Sequence, residues 1–131
     1  MKYLGIDYGL RKVGLSISEG QIASPLRVVE VSGLKDALNK IKQAVVGEKI
    51  DRVVIGVPES GEIKKAIKNF IQEFKKEIEE KQVEIIETEE TLSSHEAKEF
   101  MIELNLSQKA REKEDAYSAV LILQRFLNTL S

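Results

Sequence analysis

Carboxylates are the side chains in this sequence whose types and positions could do chemistry together. Asp7 closes one apolar segment, Glu89 and Glu90 follow another, and Asp115 begins the last amphipathic stretch. Oxygen-only clusters of this kind suit Mg²⁺ or Mn²⁺, and two such ions about 3.5–4 Å apart can activate water against a phosphodiester. Acids also occur at strand ends and helix starts for turn and dipole reasons, the more common case for Glu90 and Asp115 taken singly.

Two short basic stretches are candidates for nucleic-acid contacts. Arg11 and Lys12 follow the first acid in a turn, where an arginine can hold a phosphate through two hydrogen bonds. The alternative for this pair is exposed hairpin charge. The second stretch, Lys109, Arg111 and Lys113, precedes the last acid and is either a phosphate contact or a solvated loop.

Three other residues near the acids invite a functional interpretation. Tyr8 is the aromatic residue placed to stack on a base, since the phenylalanines fall at core positions. Gly9 is predicted to be a turn glycine with a positive φ, with cradling of a phosphate as the less favoured, compatible role. His95 could act as a base or bind a phosphate, but an exposed helix position is the more common setting for such a residue.

The composition limits the classes of function. A chain of 131 residues is long enough for one domain spanning residues 1–131. Its 20 Lys and Arg against 22 Asp and Glu give a net charge of −2, so nucleic-acid binding would need a local basic surface or bound cations. The lack of cysteine excludes thiolate metal sites, and a single histidine excludes a multi-histidine zinc site in one chain. No apolar run approaches the roughly 18 residues of a membrane span, so no membrane partner is expected.

Hydrophobic periodicity predicts the element order β-β-β-α-β-α-β-α-α. The predicted strands are residues 2–7, 12–18, 26–31, 51–57 and 82–88, and the helices begin near residues 34, 63, 93 and 115. Right-handed crossovers make the later strands parallel. The prediction is an α/β fold whose mixed five-stranded sheet combines a three-strand antiparallel meander with parallel strands, with helices on both faces. Ligands bind beyond the carboxyl ends of such parallel strands, which points to Asp7 and to residues 58–61 and 88–91.

Four segments together resemble one known family. The segment Gly-Ile-Asp-Tyr-Gly at residues 5–9, extended to residue 18, is similar to the opening motif of the YqgF family, also called RuvX. Three further matches follow in the family's order: Val-Ile-Gly-Val-Pro at 54–58, Glu-Glu-Thr-Leu-Ser-Ser at 89–94 and Asp-Ala-Tyr-Ser-Ala-Val-Leu-Ile-Leu-Gln at 115–124. The matches span essentially the whole chain, and four in order are far more specific than the first alone.

The resemblance implies a ribonuclease H-like fold and a metal-dependent nuclease that hydrolyses phosphodiester bonds. The family's three acids correspond to Asp7, Glu90 and Asp115, which would be catalytic residues and ligands of Mg²⁺ or Mn²⁺. The implied role is processing of the 5′ end of precursor 16S ribosomal RNA in the bacterial cytoplasm. The alternative is resolution of a Holliday junction in DNA. Monomer and homodimer both stay open.

Departures from the family pattern motivate other readings. Thr91 stands where the family has an arginine, Glu89 replaces an aspartate, and the loop at 59–62 is shorter than usual. A non-catalytic RNA-binding protein of ribosome assembly is therefore a further alternative. The strand and turn around Asp7 also resemble the phosphate-binding half of actin-like ATPases and sugar kinases. Those folds need two such halves, and 131 residues hold one.

Overall fold

The strands and helices follow the hydrophobic periodicity of the sequence. The computed structural model describes residues 1–89 and 114–130. At residues 114 and 115 it describes the backbone alone. Within these residues the elements are β1 (Tyr3–Asp7), β2 (Lys12–Ser18), β3 (Ser24–Glu30), α1 (Leu34–Gly47), β4 (Arg52–Val57), α2 (Glu62–Ile78), β5 (Glu84–Glu89) and α3 (Glu114–Asn128), with a 3-10 turn at Glu79–Lys81. The helix predicted near residue 93 lies outside the described residues.

The strands form one mixed sheet with the order β3-β2-β1-β4-β5. β1 pairs antiparallel with β2, which pairs antiparallel with β3. On its other side β1 pairs parallel with β4, and β4 pairs parallel with β5. The predicted combination of a meander with parallel strands is confirmed, and β1 lies at the centre.

Two strand starts differ from the prediction by two residues, each for a local reason. β3 begins at Ser24 rather than at residue 26, because pairing continues through a register shift that sets Pro25 opposite Ser16. A proline is tolerated there because β3 is an edge strand. β5 begins at Glu84 rather than at residue 82, because Gln82 has a φ of 56° at the end of the 3-10 turn. That left-handed backbone cannot belong to a strand.

The two faces of the sheet bury different helices. On one face, α1 and α2 cover an apolar cluster that includes Leu4, Ile6, Phe70 and Phe74. The rings of Phe70 and Phe74 stack with centroids 5.1 Å apart, and burying each ring contributes about 1.5–3 kcal/mol. On the opposite face, α3 covers a smaller cluster that includes Tyr3, Val54 and Leu123. The predicted covering of both faces is confirmed.

Side-chain alternation along β1 assigns the first acid to one of these faces. Leu4 and Ile6 belong to the cluster under α1 and α2, and Tyr3 belongs to the cluster under α3. Successive residues of a strand point to opposite faces, so Asp7 lies on the α3 face. Among the described residues no helix has the length and apolarity needed to cross a membrane.

Candidate active site at the carboxyl edge of the sheet

The carboxyl ends of the three parallel strands meet at one edge of the sheet. β1 ends at Asp7, β4 at Val57 and β5 at Glu89. Ile6 is the partner of Ile55, so Asp7 is level with the next residue of β4. Neighbouring strands lie about 4.8 Å apart, so the three strand ends border the same short stretch of the sheet edge.

α3 brings the position of Asp115 to the same edge. Tyr3 contacts Phe126, with ring centroids 6.0 Å apart, whereas Gly5 faces Ala119, so α3 runs antiparallel to β1. From the contact between Gly5 and Ala119, Asp7 is two residues further along β1 and Asp115 is four residues back along α3. Those steps are about 6.6 Å along a strand and about 6 Å along a helix. The beginning of α3 therefore lies over the end of β1.

The direction of the side chains along β5 bears on Glu89, the acid next to the predicted Glu90. The Glu87 side chain forms an ion pair with Lys68 of α2, whereas Ile86 packs with the cluster under α3. By alternation Glu89 lies with Glu87 on the α2 face, away from Asp7. Glu90, the next residue, lies outside the described residues. Glu89 is therefore not the acid that shares a face with Asp7.

Among the side chains that the structure describes, which exclude those of residues 114 and 115, no three His, Asp or Glu are close enough to hold a metal ion. Of the three predicted acids, Asp7 alone has its side chain described, and it is half-buried. Carboxylate oxygens at the end of a buried strand are the donors that Mg²⁺ and Mn²⁺ prefer. The donor set that the sequence offers at this edge fits a hard divalent cation.

The turn between β1 and β2 carries two exposed cations beside the acid. Arg11 and Lys12 are exposed, and neither forms an ion pair with any described residue. The turn itself is held in place, because the Val31 amide donates a 2.8 Å hydrogen bond to the Arg11 carbonyl. A shallow depression of about 570 Å³ lies against these residues and reaches Ser32. Because the backbone of this turn is anchored and its two cationic side chains form no ion pair with described residues, the turn suits a phosphate contact. The other predicted basic residues, Lys109, Arg111 and Lys113, lie outside the described residues.

A second depression, on the α2 face, has a different charge. Its volume is about 340 Å³ and its ionisable lining consists of Glu59, Lys64, Lys68, Glu87 and Glu89. Three carboxylates against two lysines leave no excess of positive charge there. Lys68 is already paired with Glu87. This side of the edge is less suited to a phosphate backbone than the β1–β2 turn.

The structure corrects two predictions made around the first acid. Tyr8 is only 7% exposed and its ring lies 4.7 Å from that of Phe70, so it has no open face for a base. The burial raises the pKa of the Tyr8 phenol above its usual value. Gly9 does lie in the turn, but its φ is not left-handed. A Cβ at Gly9 would lie 2.5 Å from the Lys12 carbonyl oxygen, so close approach is what requires glycine there.

Residues that dock α3 onto the sheet were missed by sequence reasoning. A Cβ at Gly5 would lie 2.2 Å from Ser16 Oγ, 2.8 Å from Leu123 Cβ and 2.9 Å from the Ala119 carbonyl oxygen. Ser16 Oγ in turn donates a 2.7 Å hydrogen bond to that carbonyl. Glycine inside a strand often marks close backbone approach, and that signal at Gly5 could have indicated this contact.

Comparison with known proteins finds relatives along nearly the whole chain. The model of the RuvX family, described as "Holliday junction resolvase", matches residues 1–129. A protein named "Putative pre-16S rRNA nuclease" from Sulfurihydrogenibium sp. (strain YO3AOP1) is 34% identical, with 99% of this chain and 92% of that protein covered. A protein of the same name from Clostridium tetani is 33% identical, with 99% and 98% covered.

Solved structures share the fold at low sequence identity. The fowlpox virus Holliday junction resolvase is 13% identical and superposes with a TM-score of 0.72, with both chains covered completely. RuvC of Thermus thermophilus in complex with a Holliday junction substrate is 15% identical, with a TM-score of 0.67 over 100% of this chain and 97% of that one. At these identities the likeness concerns the fold, which is the predicted ribonuclease H-like one.

Proposed function

This chain belongs to the RuvX family of Holliday junction resolvase-like nucleases, and on that premise we propose that it is a metal-dependent endonuclease of precursor 16S ribosomal RNA. The observation that carries the proposal is the meeting of Asp7 with the beginning of α3 at the carboxyl edge of the sheet. The RNA substrate is favoured by the name of the relatives that are about one-third identical over nearly their whole length. The proposed role is maturation of the 5′ end of that RNA in the cytoplasm.

Three acids would form the catalytic centre. Asp7, Glu90 and Asp115 would hold Mg²⁺ or Mn²⁺ through carboxylate oxygens. A divalent cation bound there supplies an activated water and neutralises charge on the phosphate under attack. The choice of Glu90 over Glu89 is supported by β5, since Glu89 lies on the opposite face from Asp7.

Cations beside the acids would position the RNA backbone. The Arg11 guanidinium can donate two parallel hydrogen bonds to one phosphate, and Lys12 adds a second positive charge. We include Lys109, Arg111 and Lys113 in the proposed contact surface on their sequence position alone. Tyr8 is left out because its ring is buried. A local basic surface is needed because the whole chain carries a net charge of −2.

The test compares the proposed acids with Glu89, which precedes Glu90 in the sequence. Labelled precursor 16S RNA is incubated with Mg²⁺, with Mn²⁺ or with chelator, using the wild type, Asp7→Asn, Glu90→Gln and Glu89→Gln. We expect cleavage by the wild type in either metal and none with chelator. Asp7→Asn and Glu90→Gln should lose cleavage while melting like the wild type. Glu89→Gln is the matched control and should retain it. Full activity in Asp7→Asn would refute the proposed centre.

Junction DNA is the second candidate substrate. It is favoured by the family description and by the two resolvases that share the fold. A four-way DNA junction run beside the RNA decides between them. Junction cleavage without RNA cleavage would replace the RNA proposal. If the protein binds the RNA but cleaves neither substrate, the remaining hypothesis is a non-catalytic RNA-binding protein, which Thr91 and the short 59–62 loop motivated.

A further inference from the structure

A completely buried hydroxyl joins β2 to α3. Ser16 has no exposed surface, and its Oγ donates a 2.7 Å hydrogen bond to the carbonyl oxygen of Ala119. That carbonyl belongs to the interior of α3, so it also accepts the intrahelical bond from four residues ahead. The Ser16 bond is thus additional to what the helix needs. Its effect is on the position of α3 relative to the sheet.

Apolar packing alone does not define the position of α3 along its axis. The contacts of Leu123 and Val120 with the sheet hold the helix against it, but apolar attraction has no preferred direction. A hydrogen bond weakens steeply when its angle or length departs from the optimum. The Ser16 bond therefore fixes the height of Ala119 above the sheet and its place along β1.

Gln124 supplies a second attachment on the same helix. Its Oε1 accepts a 2.8 Å hydrogen bond from the Ala23 amide, and its Nε2 donates a 2.9 Å bond to the Gln21 carbonyl. Ala119 and Gln124 are separated by about 7.5 Å along the helix axis. Two directional attachments at different heights restrain both the axial position and the rotation of α3.

We propose that Ser16, assisted by Gln124, is a positioning residue that sets the spacing between Asp115 and Asp7. Ala119 lies one helical turn after Asp115, so the bond from Ser16 holds the part of the helix nearest the acid. The proposal rests on the proposed function, because the spacing matters only if these acids share a metal ion. Supporting residues of metal sites commonly alter metal affinity about 10–100-fold when they are removed.

Ser18 offers a matched control on the same strand. It is also buried, at 3% exposure, and it has the same side chain. Its Oγ donates to the Gly20 carbonyl at 3.0 Å and accepts from the Gly20 amide at 3.2 Å, so these bonds remain within its own turn. Ser18→Ala removes a buried hydroxyl as Ser16→Ala does, but it leaves α3 attached.

The experiment measures Mn²⁺ affinity by titration calorimetry, together with kcat, KM and Tm. Ser16→Ala should bind Mn²⁺ about 10–100-fold more weakly and lose kcat, with little change in KM for RNA. Ser18→Ala should keep the wild-type Mn²⁺ affinity even if its Tm falls. Mn²⁺ affinity of Ser16→Ala within twofold of the wild type would overturn the proposal.

Two further variants separate the possible failures. If Ser16→Ala does not fold, Gln124→Ala carries the test, and wild-type Mn²⁺ affinity in that variant would overturn the proposal. If Asp7→Asn binds Mn²⁺ as tightly as the wild type, the metal site itself is wrong and the proposed function fails. If Asp7→Asn loses Mn²⁺ while both helix-docking variants keep it, the metal site stands and the positioning role is rejected.

Discussion

Replacing Gly5 with alanine tests how closely α3 approaches the sheet. The new methyl group would lie 2.2 Å from Ser16 Oγ, 2.8 Å from Leu123 Cβ and 2.9 Å from the Ala119 carbonyl oxygen. The serine hydroxyl can rotate away only by giving up its bond to Ala119. The other two neighbours belong to α3 itself, so the helix must retreat from β1.

The size of the effect follows from these distances. Ordinary contact at a Cβ begins near 3.4 Å, so Leu123 must move by roughly 0.6 Å or more. Overpacking of this kind costs about 1–3 kcal/mol, and loss of the Ser16 hydrogen bond adds about 0.5–1.5 kcal/mol. Alanine gains only about 0.5–1 kcal/mol over glycine in a strand. We expect a net loss of about 0.5–4 kcal/mol, centred near 2 kcal/mol, which lowers Tm by several degrees in a chain of this size.

Thermal unfolding followed by circular dichroism measures this effect, with Gly20→Ala as the control. No atom lies within 4 Å of a Cβ at Gly20, so that variant should melt within about 2 °C of the wild type. Under the proposed function, Gly5→Ala should also cleave about a hundredfold more slowly, as a misplacement near 1 Å can cause. A Tm equal to or above the wild type would refute the close approach, since an unobstructed methyl group stabilises a strand.

Other predictions concern charge, pH and the core. Arg11→Ala and Lys12→Ala should each weaken RNA binding and reduce the salt slope, by about one unit if each contacts a phosphate, measured by filter binding over a salt series. The wild type should lose stability as pH rises above about 10, and Tyr8→Phe should not show this loss. Urea unfolding over a pH series measures both. The raised pKa gives this sign, because the unfolded phenol releases its proton first. Phe74→Ala should cost about 3–5 kcal/mol in urea unfolding, because the ring is completely buried.

The controls for these variants lie elsewhere in the structure. Lys75 is an exposed cation of α2 with no ion pair among the described residues, and Lys75→Ala should leave the salt slope unchanged. An equal effect in Lys75→Ala and Arg11→Ala would remove the β1–β2 turn from the proposed RNA path. Identical alkaline profiles for wild type and Tyr8→Phe would contradict the assignment to Tyr8.

Within the described residues, the elements and the positions of Asp7 and Asp115 along them could be predicted from the sequence alone. Alternation in β2 and helical spacing in α2 reflect the local geometry of strand and helix, which any short segment carries within itself. The rule that ligands bind beyond the carboxyl ends of parallel strands then selected Asp7 before any contact was known. The start of β5 differed from the prediction because the left-handed φ of Gln82 is incompatible with a strand.

The tertiary structure alone decided which residues pack against each face of the sheet. Tyr8 and Asp7 are adjacent in sequence, yet one is packed against Phe70 and the other faces α3, because β1 is covered on both sides by helices distant in the chain. The role of Gly5 depends on a helix more than a hundred residues away, and so does the bond from Ser16 to Ala119. Periodicity states which side chains share a face, but close packing between distant elements determines which of them are buried, which dock a helix and which remain beside the acids.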